Sequence, residues 1–190
     1  DRNSANPDGT GDRTVRFVLD HTVINGGYAG LTGDDPNARD FELYPTVLSG
    51  DLVGDDLPGF LNREHNTLVL LENDTGGTVQ LGGVVLAAAG AVINLWDGEG
   101  LDLIQGIVRD NIRGIDVGDF SSAKLNDCVF SNNGEMAVEV SDYCYAEIDS
   151  CEFIGNGSLG GTAFQAYNGA ADLRNSTFIG NGSPESQGGA

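Results

Sequence analysis

CEFIGNGS (Cys151–Ser158) returns twenty-five residues later as STFIGNGS (Ser176–Ser183). A phrase rewritten at an interval of roughly 20 to 50 residues marks a solenoid, a propeller or an array. Three earlier copies align with these two, and the five start at Leu81, Leu103, Leu125, Ile148 and Leu173, spaced 22, 22, 23 and 25 residues apart. Each copy places an aliphatic residue first, a small residue three later and an apolar residue two after that. The last position gives the column Leu86, Val108, Phe130, Phe153, Phe178, and the middle one gives Val84, Gly106, Cys128, Cys151, Ser176.

A second segment in each copy alternates apolar and polar residues: VINLW (92–96), GIDVG (114–118), AVEVS (137–141) and TAFQAY (162–167). Alternation of period two is the pattern of a half-buried strand. Each repeat therefore holds at least two strands and no helical pattern. TVRFVL (14–19) reads as another strand. TVINGG, TVLSGD and TLVLLE, starting at Thr22, Thr46 and Thr67, continue the rhythm toward the N-terminus at intervals of 24 and 21 residues.

Short strands, a period near 22 and no helix between strands predict an all-β, right-handed parallel β-helix. Equivalent residues of successive coils then stack at about 4.8 Å, the strand spacing of a sheet, which explains the doubled phrase. Leucine-rich repeats share the period but need a Leu/Asn consensus that is missing, and propeller blades need roughly 40 residues. Asn111, Asn133, Asn156 and Asn181 each follow the apolar column by three residues. Asparagine tolerates left-handed turns, and stacked amides form hydrogen-bonded ladders. The expected organisation is one continuous solenoid. Residues 1–80 form irregular coils with long loops, and residues 81–190 form regular repeats whose last coil is truncated.

The chain of 190 residues carries 9 basic and 29 acidic residues, a net charge of −20. That argues against nucleic acid and anionic membranes, which require a cationic footprint. The 29 glycines are spread between aliphatic runs, as expected of many turns between strands. No apolar run is long enough to cross a membrane as a helix. The opening DRNSANPDGTGDRT and the closing SPESQGGA read as cut from a longer protein. An apolar last coil would then invite end-to-end association. Cys128 and Cys151 share one inward column and are expected to be buried and reduced; Cys144 completes an odd count that fits no disulfide framework.

Several phrases resemble bacterial right-handed parallel β-helix repeat proteins: NGGYAG (25–30), PTVLSGD (45–51), LGGVVLAAAG (81–90) and DCVFSNNG (127–134). The last is similar in style to polymorphic outer-membrane-protein repeats. The likeness spans nearly the whole chain, and the block 30–56 is its most specific part. LGGVVLAAA departs from the pattern by losing an Asp, and the GGGIYN phrase survives only as GGTAFQAYN (160–168). The resemblance implies a secreted or cell-surface protein with a pectate-lyase-like fold. It implies no activity, because this fold carries lyases, hydrolases, adhesins and passive stalks.

Three groups of residues are candidate sites. Asp51, Asp55 and Asp56 in SGDLVGDD, with Asp34 and Asp35 upstream, offer clustered oxygens to a Ca²⁺ ion, which takes six to eight such ligands. Arg109 and Arg113, with Asp110, Asp116 and Asp119, crowd VRDNIRGIDVGD and supply the residue types of a polysaccharide lyase. Stacked coils could also bring two carboxylates to the roughly 5–9.5 Å that glycoside hydrolysis needs, though many pairs would qualify. Trp96, Tyr143, Tyr145 and Tyr167 could stack on sugar rings, with Trp96 and Tyr167 at one offset and the other two in a nearby turn. The sequence favours a structural and adhesive segment, with a surface protein or a polysaccharide as partner. A carbohydrate-active module is the alternative, and a calcium-stabilised spacer is a third reading.

Overall fold

The computed structural model describes residues 12–58, 61, 63–74 and 76–183. The opening and closing stretches read as cut lie largely outside these residues. Among the described residues the chain winds through eighteen short strands, three to a coil. The first coil holds β1 (Phe17–Leu19), β2 (Val23–Asn25) and β3 (Thr46–Ser49). The second holds β4 (Val69–Asn73), β5 (Thr78–Gly82) and β6 (Val84–Ala87). The third holds β7 (Ala91–Leu95), β8 (Gly100–Ile104) and β9 (Ile107–Arg109), and the fourth β10 (Arg113–Val117), β11 (Ser122–Asn126) and β12 (Val129–Ser131). The fifth holds β13 (Met136–Ser141), β14 (Tyr145–Asp149) and β15 (Glu152–Ile154), and the sixth β16 (Thr162–Tyr167), β17 (Ala170–Arg174) and β18 (Thr177–Ile179).

Every third strand pairs in parallel, giving three six-stranded sheets. The first sheet runs β1-β4-β7-β10-β13-β16, the second β2-β5-β8-β11-β14-β17 and the third β3-β6-β9-β12-β15-β18. The register is the one the repeats predict. Leu81, Leu103, Leu125, Ile148 and Leu173 are Cα partners in succession, as are Leu86, Val108, Phe130, Phe153 and Phe178. Alternation sets the faces: in β5, β11 and β14 the second and fourth residues are buried and their neighbours are not. The core is therefore a set of columns. Phe153 stacks on Phe130 at 4.8 Å and on Phe178 at 4.5 Å between ring centroids, nearly parallel. Phe130 and Phe153 are fully buried, whereas Phe178 in the sixth coil is 36% exposed.

The asparagine ladder forms. The Nδ2 of Asn111, Asn133 and Asn156 donates to the Oδ1 of the next asparagine at 3.1, 2.9 and 3.0 Å. Each of those Oδ1 atoms also accepts the backbone N–H of the preceding asparagine. The left-handed residue is not the ladder asparagine, however, but the one before it: Asp110, Asn132, Gly155 and Gly180 have positive φ. The tight turn between the third and first sheets thus falls one residue earlier than expected. The ladder position keeps an ordinary backbone and turns its side chain inward.

The N-terminal rhythm is a different matter. TVINGG, TVLSGD and TLVLLE contribute β2, β3 and β4, which lie in the second, third and first sheets. Their intervals of 24 and 21 residues are steps around the coil, lengthened by the loops 26–45 and 50–68, and not steps from one coil to the next. The loop 26–45 is held down by Arg39, whose guanidinium lies 4.6 Å from the Phe41 ring and donates from Nε to the Gly26 carbonyl at 3.0 Å. Gly83, at φ +63, lies under that ring, where a Cβ would overlap it.

All three cysteines are free and buried. Cys128 Sγ lies 3.3 Å from the Leu103 carbonyl oxygen and Cys151 Sγ 3.4 Å from that of Leu125. The hydrogen bond with Cys151 and burial push the Cys128 thiol well up, which keeps it protonated.

Candidate functional site

The outer face of the third sheet and the loop 50–68 enclose a groove of about 630 Å³. Ser49, Ala87 and Arg109 form its floor, and Asp56, Leu57, Pro58 and Arg63 its wall from the loop. The loop is pinned to the coils by Asn66, which is buried. Its backbone bridges to Asp51, and its Nδ2 donates to the Ala88 carbonyl at 2.8 Å and to Asp56 Oδ2 at 2.9 Å. Arg63 reaches across the groove: its Nη1 lies 3.4 Å from Asp56 Oδ2 and donates to the carbonyl oxygen of Asp110. Arg109 pairs with Asp110 Oδ2 at 2.5 Å. The groove therefore brings two of the expected lyase residues, Arg109 and Asp110, beside the acidic loop.

The rest of that cluster is elsewhere. The chain turns sharply between Arg109 and Arg113, at the foot of the asparagine ladder, so VRDNIRGIDVGD wraps around a corner. Arg113 opens β10 on the first sheet and pairs with Glu135 at 2.6 Å. Asp116 faces outward from the same strand, with Glu139 of β13 as its Cα partner, and Asp119 sits in the turn beyond. Burial, and then repulsion from Glu139 and Asp142, hold the Asp116 carboxyl above the usual aspartate range, with Arg113 opposing.

Asp51, Asp55 and Asp56 do come together, with ligand oxygens within 4.8 Å of one another. Asp34 and Asp35 are not part of that group. The fit to a calcium ion is incomplete. Asp51 Oδ1 accepts the N–H groups of Val53 and Gly54 at 3.1 and 2.6 Å, and its Oδ2 that of Asp56 at 3.3 Å. Burial raises the Asp51 pKa, but these backbone donors outweigh it and the net direction is down. Asp56 is pushed up, first by burial and then by Asp51 and Asp55, although Asn66 and Arg63 counter it. Asp55 Oδ2 lies 3.6 Å from His65 Nδ1. Amides thus hold Asp51, and Arg63 and Asn66 hold Asp56 Oδ2, while Asp56 Oδ1 is buried without a hydrogen-bond partner among the described residues.

The aromatic residues lie along the corner between the first and second sheets. Trp96 follows β7, and Tyr167 ends β16 as the partner of Ser141. Tyr143 is in a turn as expected, but Tyr145 is the first residue of β14 and belongs to the second sheet. The structure adds Phe120, whose ring stacks with Tyr143 at 6.0 Å between centroids and 11° between planes. Sequence reading passed over Phe120, although Asp119-Phe120 and Asp142-Tyr143 are equivalent pairs in adjacent coils. It also passed over Arg63 and Asn66, which sit in an aperiodic loop and carry no repeat signal.

A family model described as right handed beta helix region matches residues 90–188, just over half of the chain. No curated protein and no solved structure matches the chain.

Proposed function

Because the chain belongs to the right-handed β-helix family, we propose that it serves as a structural and adhesive segment of a secreted or surface-displayed protein. One observation carries this reading: the arginines able to act as a base are committed to carboxylates. Arg63 faces Asp56, Arg109 pairs with Asp110 and Arg113 pairs with Glu135. A lyase base must reach the proton it removes, and these cations are engaged within the loop, within a coil or with the next coil. The interior columns and the ladder supply rigidity along the axis, because in a stacked solenoid each coil is stabilised by its neighbours. The acidic composition keeps such a segment soluble and directs it away from anionic polymers.

The groove on the third sheet favours a second reading, a carbohydrate-active module. It has the volume of a ligand site and walls of both charges. Incubating the 190-residue chain with acidic and neutral polysaccharides, with and without calcium, tests both readings. Neither product nor retention on the polymer is expected. Unsaturated product that disappears in Arg109→Ala would establish an enzyme, and retention without product a glycan-binding module.

A further inference from the structure

The corner between the first and second sheets carries an unusual display. Its turns in the third, fourth and fifth coils each have two successive residues at positive φ: Asp97-Gly98 (52°, 83°), Asp119-Phe120 (49°, 63°) and Asp142-Tyr143 (46°, 66°). Such pairs ordinarily call for Asp-Gly or Asn-Gly, which is what the third coil has. A bulky aromatic residue in the left-handed region is a true outlier, yet the next two coils place one there. These rings gain no burial in exchange, since Phe120 is 73% and Tyr143 78% exposed. They stack on each other, and Gly98, one coil earlier, has no atom within 4 Å of the place where a Cβ would stand. Phe120 and Tyr143 thus offer exposed ring surface to a ligand.

Carboxylates of one sign surround the pair. Asp97, Asp119 and Asp142 precede it within the turns, and Asp116 and Glu139 are neighbours on the first sheet. Segments 91–100, 114–123, 137–146 and 162–171, which build this corner in four coils, contain no Lys, Arg or His. Arg113 and Lys124, which flank the second of these segments, pair with Glu135 and Glu147 outside the corner turns.

We propose that this corner, centred on Phe120 and Tyr143, is a docking site for a cationic, arginine-bearing segment of a partner protein. A guanidinium satisfies both features at once, because its plane stacks on an aromatic face while its N–H groups pair with flanking carboxylates. An anionic glycan is repelled by the same carboxylates, and a neutral glycan would use the rings but not the charges. The inference rests on the adhesive reading above and supplies the chemistry of its partner.

The test uses a fluorescent oligo-arginine peptide as probe, with oligo-lysine and neutral cello-oligosaccharides as comparisons, on the full 190-residue chain. Asn replaces the aromatics because it tolerates the left-handed region, so Phe120→Asn and Tyr143→Asn should fold with an unchanged or raised Tm. Each is expected to weaken oligo-arginine binding about tenfold, and Asp119→Asn with Asp142→Asn to do the same. Oligo-lysine should bind more weakly than oligo-arginine to the unaltered chain. Oligo-arginine binding that is absent, or that survives loss of both rings, overturns the proposal. So does neutral-oligosaccharide binding that those same variants abolish. An absent oligo-arginine signal would leave the structural reading standing, since that reading fails only if polysaccharide is cleaved or retained.

Discussion

The ladder asparagine in the middle of the stack offers the sharpest test of how the coils are held in register. Asn133 is fully buried and makes four side-chain hydrogen bonds. Its Nδ2 donates to the Val108 carbonyl at 3.0 Å and to Asn156 Oδ1 at 2.9 Å. Its Oδ1 accepts the Asn111 backbone N–H at 3.3 Å and Asn111 Nδ2 at 3.1 Å. In Asn133→Ala the Asn111 amide side chain keeps Leu86 and Arg109 as acceptors, and Asn156 Oδ1 keeps the backbone N–H of residue 133. The Asn111 backbone N–H loses its acceptor, and the Val108 carbonyl loses a donor. A stranded buried polar group costs about 1–3 kcal/mol, so the substitution should cost about 2–4 kcal/mol overall. Asn133→Asp should cost more: its carboxylate would face Asn156 Oδ1 without a proton to share and would place a charge in the interior.

Urea unfolding at pH 7 measures the loss, read as a lowered midpoint at constant slope. Hydrogen exchange at the Asn111 amide reports the broken contact directly. Asn94→Ala, on the outer face of the first sheet, is the control and should stay within about 0.5 kcal/mol of the unaltered chain. If Asn133→Ala costs no more than this control and the Asn111 amide stays protected, the ladder does not hold the coils. The apolar columns alone would then fix their register.

Phe153→Ala should cost about 3–5 kcal/mol in the same assay, because the ring is sandwiched between two others; Phe178→Ala, partly exposed, should cost clearly less. Asp116→Asn should stabilise the chain at pH 7 by roughly 0.2–1 kcal/mol by removing a like-charge neighbour pair with Glu139. The folded carboxyl holds its proton more tightly than the unfolded one. Its favourable contribution is therefore present below the usual value of 3.8 and lost as pH rises through the folded pKa. The gain in Asp116→Asn should accordingly shrink as the pH is lowered toward 4, followed by thermal unfolding. Calcium and chelator should leave the Tm unchanged, since Arg63 and Asn66 hold Asp56 Oδ2 and backbone amides hold Asp51; a rise of several degrees with calcium would show that an ion completes the loop. A thiol reagent should find no reactive cysteine in the folded chain and three after denaturation, whereas one after denaturation would reveal a disulfide.

The regular coils were legible in the sequence because their determinants are local and repeated. Leu81 to Leu173 and Leu86 to Phe178 recur every 22 to 25 residues, and stacking at the strand spacing turns that recurrence directly into a contact. The asparagine ladder and the buried cysteine column follow from the same translation. Where the period failed, so did the reading. Thr22, Thr46 and Thr67 looked like successive coils, but the loops 26–45 and 50–68 made a third of a turn as long as a whole one. The candidate sites depended on what the period cannot express. Arg109 and Arg113 are four residues apart, yet a single left-handed residue at Asp110 sends them to different faces. Arg63, which faces Asp56, meets Asp110 because Asn66 ties an aperiodic loop back onto Ala88. The sequence by itself determined the columns, since equivalent inward apolar side chains of successive coils must stack. The tertiary structure decided which outward residues share a groove, because the corners and the loops that fold back over them set those neighbours.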